Sequence, residues 1–216
     1  MIYDSKFGSV NFLEESYLQK KEKIGLSLSG GLDSALILFF LCKEFQNTNR
    51  TILPIIGCDN GSTILWQTNE IILYFKENFP TVNILDEYIF HYDTKRNGGK
   101  RSFHYIEEQR LLSNNIVDLI IMGTTMNPPI DLLVSGRDTS RDTENIKVPR
   151  SENYYLPFAG VDKRFVAEMY SKFKLENLEK LTFSCISPKF DEPCLKCWWC
   201  KEKMWAFGLH DDKNVI

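Results

Sequence analysis

The sequence has no long hydrophobic run. Its longest, Ala35 to Cys42, is eight residues, whereas a helix crossing a bilayer needs roughly 20. A membrane partner is therefore not expected. No charge of one sign dominates either: 26 Lys and Arg stand against 29 Asp and Glu, for a net charge of -3. A protein gripping nucleic acid over much of its surface would be far more basic, so nucleic acid is not the expected partner. Met1 to Val10 shows no basic stretch followed by an apolar one, so a secretory leader is not expected and a cytoplasmic location is. There is no internal repeat and no low-complexity tract. Nor is there a need for disulfide staples, because 216 residues with 43% hydrophobic content can build an adequate core. Six cysteines are present nonetheless, and four of them crowd into sixteen residues. Metal ligation explains that crowding better than cross-linking does.

What is present is an alternation of strand and helix patterns. Ile24 to Ser29 reads as a buried strand running into the paired glycines Gly30-Gly31, and Ala35 to Phe45 reads as a helix packed on a sheet. Thr51 to Gly57 is a second strand, Trp66 to Phe79 a helix stopped by Pro80, and Val82 to Phe90 a third strand. The polar loop His91 to Lys100 leads to a helical pattern over Phe103 to Asn114 and a fourth strand, Asp118 to Gly123. The expected fold is α/β, a Rossmann-like parallel sheet with helices on both faces, whose ligands bind at the carboxyl ends of the strands. Little periodicity survives from Thr124 to Tyr155 beyond Ile130 to Val134, and a connection that long is usually functional or mobile. Helical patterns return at Asp162 to Phe173 and Leu175 to Leu181. We divide the chain into a nucleotide-binding domain, residues 1–160, and a smaller helical, cysteine-bearing part, residues 161–216.

The loop after the first strand is Ser29-Gly30-Gly31-Leu32-Asp33-Ser34. A preceding strand, glycines that let the backbone approach a phosphate, and a following helix N-terminus make an anion-binding turn. Ser27 to Ser34 is the expected nucleotide-contact set, with Ser29, Asp33 and Ser34 as candidate catalytic residues. Asp33 can cap the helix, orient backbone amides, or hold Mg²⁺. The loop is not a Walker loop, lacking Gly-Lys-Ser/Thr, and not a dinucleotide fingerprint, lacking its third glycine. Its sequence is similar to the loop of the ATP pyrophosphatase (PP-loop) superfamily, which implies ATP cleavage between the α and β phosphates with adenylation of a substrate oxygen.

Cys194, Cys197 and Cys200 follow at intervals of three, and Cys185 stands nine positions earlier. Four thiolates suit a closed, structural Zn²⁺ site. An iron–sulfur cluster and a redox Cys-x-x-Cys pair use similar ligands. Lys189, Lys196, Lys201 and Lys203 can offset the negative charge, while Trp198, Trp199 and Trp205 are read as cover for the metal. Cys42 and Cys58 read as small buried hydrophobes, His104 as a packing residue, and His210 as solvated. His91 has acid or base chemistry available, and Asp59-Asn60-Gly61 is either a ligand contact at the sheet's carboxyl edge or an ordinary turn.

Taken with Thr182-Phe183-Ser184-Cys185, the later cysteines and Ala206-Phe207, the loop gives a chain that resembles the 7-cyano-7-deazaguanine synthase family, the QueC-like proteins. Lys100-Arg101-Ser102-Phe103 and the glycine-ended strand Asp118 to Gly123 extend the resemblance over nearly the whole chain. The resemblance implies a homodimer using ATP, Mg²⁺ and structural Zn²⁺. It implies activation of the 7-carboxy-7-deazaguanine carboxylate as an acyl-adenylate, capture by ammonia, and dehydration of the amide to the nitrile. The segment after the fourth strand departs from the family pattern, with Thr124 to Pro129 and Asp131 to Arg141 in place of a Tyr-Pro-Asp-Cys-Arg-Pro-type motif. Some QueC-like relatives in bacterial defence clusters are thought to join a deazaguanine to a protein amine, and the altered loop keeps that acceptor open. Arg101 and Arg137 are candidate substrate residues, since a guanidinium fork matches carboxylate and phosphate; Arg141 is read as a solvated surface charge. Two other readings stand beside this ligase: a PP-loop tRNA-modifying enzyme, and a non-catalytic nucleotide-binding subunit.

Overall fold

A computed structural model describes residues 1–12, 21–59, 64–92, 100–128, 141, 151–185 and 193–208, with the backbone alone at 59, 64, 65 and 100–102. The strands are β1 (Ile2–Ser5), β2 (Gly8–Asn11), β3 (Lys23–Ser27), β4 (Thr51–Asp59), β5 (Asn83–Ile84), β6 (Tyr88–Tyr92), β7 (Leu119–Met122) and β8 (Tyr154–Tyr155). The helices are α1 (Leu32–Phe45), α2 (Ile64–Asn78), α3 (Lys100–Ser113), α4 (Lys163–Lys172), α5 (Glu176–Leu181) and α6 (Trp198–Ala206). Strands β3 to β8 form one sheet in the order β5-β4-β3-β7-β8, with β6 also on β4, and every pairing is parallel.

The sheet is buried on both faces, and side-chain alternation sorts its residues between two apolar layers. Ile24, Leu26, Ile52, Ile56, Leu119 and Ile121 face the larger layer, with α1, α2 and α4. Leu53, Ile55 and Ile120 face the smaller one, with Leu111 of α3. Right-handed crossovers explain the division. From β3 the chain steps outward to β4 and β5, then returns past β3 to β7, so its return helix α3 falls on the opposite face. The reversal between β3 and β7 is the sheet's switch point, at whose carboxyl side ligands of such folds bind. Helix α1 is apolar all round because it is enclosed: Leu32 and Ser34 to Cys42 are buried without exception.

The structure differs from the sequence expectations at four places. The third strand is two short ones, pairing with the start and the end of β4 respectively. Tyr154–Tyr155 adds a fifth position to the sheet beside β7. A two-stranded antiparallel hairpin, β1–β2, precedes the sheet, and its Tyr3 ring stacks on Phe40 at 3.7 Å between centroids. Helix α6 follows the cysteines. Each unpredicted strand has four residues or fewer, too few to display a period of two.

One buried group makes this fold sensitive to pH. Glu108 of α3 is buried on the smaller face and its Oε1 has no hydrogen-bond partner. Burial pushes its carboxyl up from 4.5 to about 7, against the opposing bond from the Tyr154 hydroxyl. The folded chain therefore holds this proton more tightly than the unfolded chain does. Its contribution to stability is full below 4.5 and is lost as pH rises through about 7. Glu108→Gln should gain on wild type by up to roughly 3 kcal/mol between pH 4.5 and 8. Denaturant melts of both proteins across that range measure it, and parallel stability curves would contradict it.

Candidate nucleotide loop and four-cysteine centre

Strand β3 continues one residue beyond its ladder, where Leu28 donates its N–H to the Ile55 carbonyl at 2.9 Å. The chain then turns at the switch point. Gly30 takes a left-handed conformation, φ +76°, with the Gln67 and Thr68 side chains of α2 packed behind it. Gly31 is the N-cap of α1 and supplies no side chain to its first turn, so that turn's backbone donors are left without a side-chain cap. The two hydroxyls brace the bend. Ser34 Oγ accepts from Ser29 N–H at 3.2 Å and donates to the Gly31 carbonyl at 3.2 Å, and Ser29 Oγ lies 3.1 Å from it. Ser34 is buried and Ser29 exposed, so Ser29 is the hydroxyl available to a ligand. A Cβ on Gly123, just past β7, would meet Ser34 N at 2.9 Å. Only glycine lets β7 end flush against the loop.

Capping, one of the roles open to Asp33, falls instead to Gly31, and Ser34 is not the cap either. Asp33 and Ser34 lie inside the first turn, and Asp33 turns to the interior. Its Oδ2 sits 3.1 Å from Lys163 Nζ, which is 3.2 Å from Glu202 Oε2, and Arg141 grips both oxygens of Glu202 with its two terminal nitrogens. The remaining Arg141 bonds run to the loop after β7: Nε to the Thr125 carbonyl at 2.9 Å, Nη2 to Thr125 Oγ1 at 2.8 Å and to the Met126 carbonyl at 3.2 Å. Two cations and two anions alternate, and all four are buried or nearly so, Glu202 completely. Arg141 is thus an interior residue, not the solvated charge expected of it.

Such a chain persists in an apolar setting because each charge has an opposite neighbour and its hydrogen-bonding capacity is largely filled. Burial pushes the Asp33 carboxyl up, with the Lys163 ammonium opposing. The neighbouring cations Lys163 and Arg141 outweigh burial at Glu202 and hold it below the usual carboxylate value. Asp33 and Glu202 outweigh burial at Lys163 and keep it charged. The Oδ1 of Asp33 is buried and has no hydrogen-bond partner among the described residues. Lys163 and Glu202 escaped the sequence reading because each sits among other charges, Asp162 and Arg164 beside the one and Lys201 and Lys203 beside the other, and nothing in a linear spacing joins them to Asp33.

The four cysteines converge. Their sulfurs all lie within 4.8 Å of one another, with Cys194 to Cys200 at 3.9 Å and Cys185 to Cys197 at 4.0 Å. A tetrahedral ion with sulfur ligands at about 2.3 Å sets edges of about 3.8 Å, so the residues fit one shared ion. Backbone N–H groups already point at the sulfurs, Cys194 to Cys185 and Cys197 to Cys194, each at 3.3 Å. The amides of Lys196 and Cys197 pull the Cys194 thiol down to about 6. Leu195, φ +57°, makes the tight turn that aims them. Cys197 is the N-cap of α6 and Cys200 lies in its first turn, where burial pushes the Cys200 thiol up.

The remaining candidates divide. Trp199 lies against Arg141 and Trp205 against Arg164, at 5.7 and 4.7 Å, so these rings cover cations; Trp198 is buried. Lys203 pairs with Glu179 at 3.2 Å. His104 packs edge-on against Phe90 and Tyr92, and Cys42 and Cys58 are buried among apolar groups, as expected. Arg137, Asn60, Gly61, Lys189, His210 and most of the Thr124 to Tyr155 connection lie outside the described residues, as does the side chain of Arg101.

No family model matches the sequence, and no curated protein matches it. Solved structures do match the fold. The U34-tRNA thiolase NcsA from Methanococcus maripaludis, solved with its [4Fe-4S] cluster, superposes with a TM-score of 0.50 at 15% identity, over 90% of this chain and 67% of that one. NMN synthetase from Francisella tularensis superposes with a TM-score of 0.50 at 11% identity, over 93% of this chain and 83% of that one. The chain therefore shares the α/β fold of these two enzymes, and its four C-terminal cysteines are placed to hold a metal.

Proposed function

We propose that the protein is an ATP-dependent adenylating ligase that joins the carboxylate of a 7-deazaguanine to an amine. The observation that carries this reading is the braced Ser29 to Ser34 loop, opening at the switch point onto the uncapped first turn of α1. Backbone donors there meet phosphate oxygens, and Ser29 adds a hydroxyl. Carboxylate oxygen is a poor leaving group, and transfer of AMP to it makes it a good one. Pyrophosphate departs when the carboxylate attacks the α-phosphorus, and AMP departs when the amine attacks the carbonyl carbon. Preorganised donors facing the charge that builds on phosphorus lower the barrier to the first step. The deazaguanine substrate comes from the resemblance carried by the four cysteines and the segments around them. The acceptor is ammonia, giving amide and then nitrile, or an amine of a protein.

Mg²⁺ accompanies the triphosphate in this reading, and the orphaned Oδ1 of Asp33 is a hard oxygen donor suited to it. Zn²⁺ is the ion proposed for the cysteines. A cubane cluster places each thiolate on a separate iron and so spreads its ligands, whereas these sulfurs are spaced for a single ion.

Purified protein given ATP, Mg²⁺, ammonia and 7-carboxy-7-deazaguanine should form AMP and pyrophosphate together with amide or nitrile, followed by mass spectrometry. Ser29→Ala should lower the rate about 10²- to 10³-fold, the usual cost of one oxyanion donor. Absence of AMP with this substrate would sink the reading. AMP formed only with tRNA would replace it with a tRNA-modifying enzyme.

Elemental analysis of protein purified without chelator should find one zinc per chain, and Cys194→Ser should lower that content. Iron together with acid-labile sulfide would overturn the assignment of zinc.

A further inference from the structure

The cysteine-bearing segment touches the nucleotide loop at two separate points. Phe183, two residues before Cys185, donates its N–H to the Gly30 carbonyl at 2.9 Å, and Gly30 is the loop's left-handed residue. Glu202, two residues after Cys200 and on the same helix, holds Lys163, which holds Asp33. The four sulfurs lie between these contacts in the chain. A bound ion would fix Cys185 relative to Cys200 and thereby set Phe183 and Glu202 in register with the loop. Both contacts act on positions a phosphate depends on: the carbonyl that orients the glycine turn, and the first-turn side chain beneath the amides.

We propose that the four-cysteine segment is a positioning element of the nucleotide site, coupling metal occupancy at Cys185, Cys194, Cys197 and Cys200 to nucleotide affinity through Phe183 and Glu202. Glu202 does not touch the nucleotide. It acts through Lys163, whose second carboxylate partner is Asp33, so removing its charge leaves Lys163 free to draw Asp33 out of place and leaves Arg141 unbalanced. The inference rests on reading the Ser29 to Ser34 loop as the nucleotide site and is independent of which carboxylate is activated.

The coupling is measured as a cycle. Calorimetry with Mg²⁺ and α,β-methylene-ATP, which cannot be cleaved at the reacting bond, gives affinities for four proteins: wild type and Glu202→Gln, each metal-loaded and chelated. Circular dichroism checks folding and elemental analysis checks metal content. Chelation should weaken binding to wild type by roughly 5- to 150-fold, the range typical of coupled sites. Metal-loaded Glu202→Gln should show a loss of similar size while keeping its metal. Chelating that variant should add much less than chelation costs wild type, and Glu202→Asp should recover most of the affinity. A purely structural role gives losses that multiply, which overturns the proposal, as does equal affinity of loaded and chelated wild type. If chelation unfolds the chain, the metal-loaded variants decide: unchanged affinity in Glu202→Gln overturns the proposal, and a loss rescued by Glu202→Asp sustains it. Wild type that binds no nucleotide refutes the proposed function itself, an outcome separate from binding without coupling.

Discussion

Lys163 between Asp33 and Glu202 is the interaction on which the arrangement of the site depends. One ammonium joins the first turn of α1 to α6, while Arg141 extends the chain of charges to the loop after β7. Three segments distant in sequence are thereby held to one point of the interior. The cost of removing four charges from water falls only because they alternate. Removing any one leaves an uncompensated charge, which is why the cluster acts as a unit. Hydrophobic packing places the helices on the sheet, but packing is tolerant of small shifts. Directional ion pairs at about 3 Å are not, and they fix the loop's surroundings more narrowly than apolar contact would.

The sheet supplies the second constraint. Because the chain reverses between β3 and β7, the carboxyl ends of these strands form the sheet's switch point, the place where ligands of such sheets bind. Gly123 then brings the end of β7 within contact of the backbone at Asp33 and Ser34. Any side chain there would wedge the loop away from the strand. Tyr170 of α4 adds a buried bond to the Leu32 carbonyl at 3.1 Å, so the start of α1 is held from below by β7 and from the side by α4. A loop braced in this way can present its backbone donors without ordering them anew when an anion arrives, and preorganisation of that kind is what stabilises developing charge.

How much of this was legible in the sequence follows from the range of each interaction. Leu26 to Ser34 could be read because a strand, a glycine turn and a helix start are local events with local signatures. The cysteines could be read because metal geometry constrains spacing along the chain. Helix α1 was legible as a helix, but the role of Asp33 was not: it has a capping residue's chemistry and is diverted by a lysine the linear pattern cannot place nearby. Arg141 looked solvated among Ser, Thr and Asp neighbours, yet the fold carries it inward to Glu202. The hairpin β1–β2 and the short strand β8 were illegible because two to four residues carry too little pattern; their pairing is imposed by Phe40 and by β7.

The charge balance of the cluster bears on what the site asks of a ligand. Lys163 and Arg141 are both cations, but the carboxylates of Asp33 and Glu202 cancel them. Among the described residues the loop therefore meets an anion with neutral donors: backbone amides of the first turn of α1, the hydroxyl of Ser29, and a helix dipole equivalent to about half a unit charge. That suffices to orient a phosphate and falls short of neutralising a triphosphate. In the proposed reaction a nucleotide would bring most of its charge uncompensated unless a divalent cation came with it, and Asp33 Oδ1, without a hydrogen-bond partner among the described residues, is of the kind such a cation binds. A loop that is neutral overall also releases its product more readily than a fixed cluster of lysines would. In the adenylating reaction proposed, the pyrophosphate released would leave without any buried ion pair of this cluster being broken.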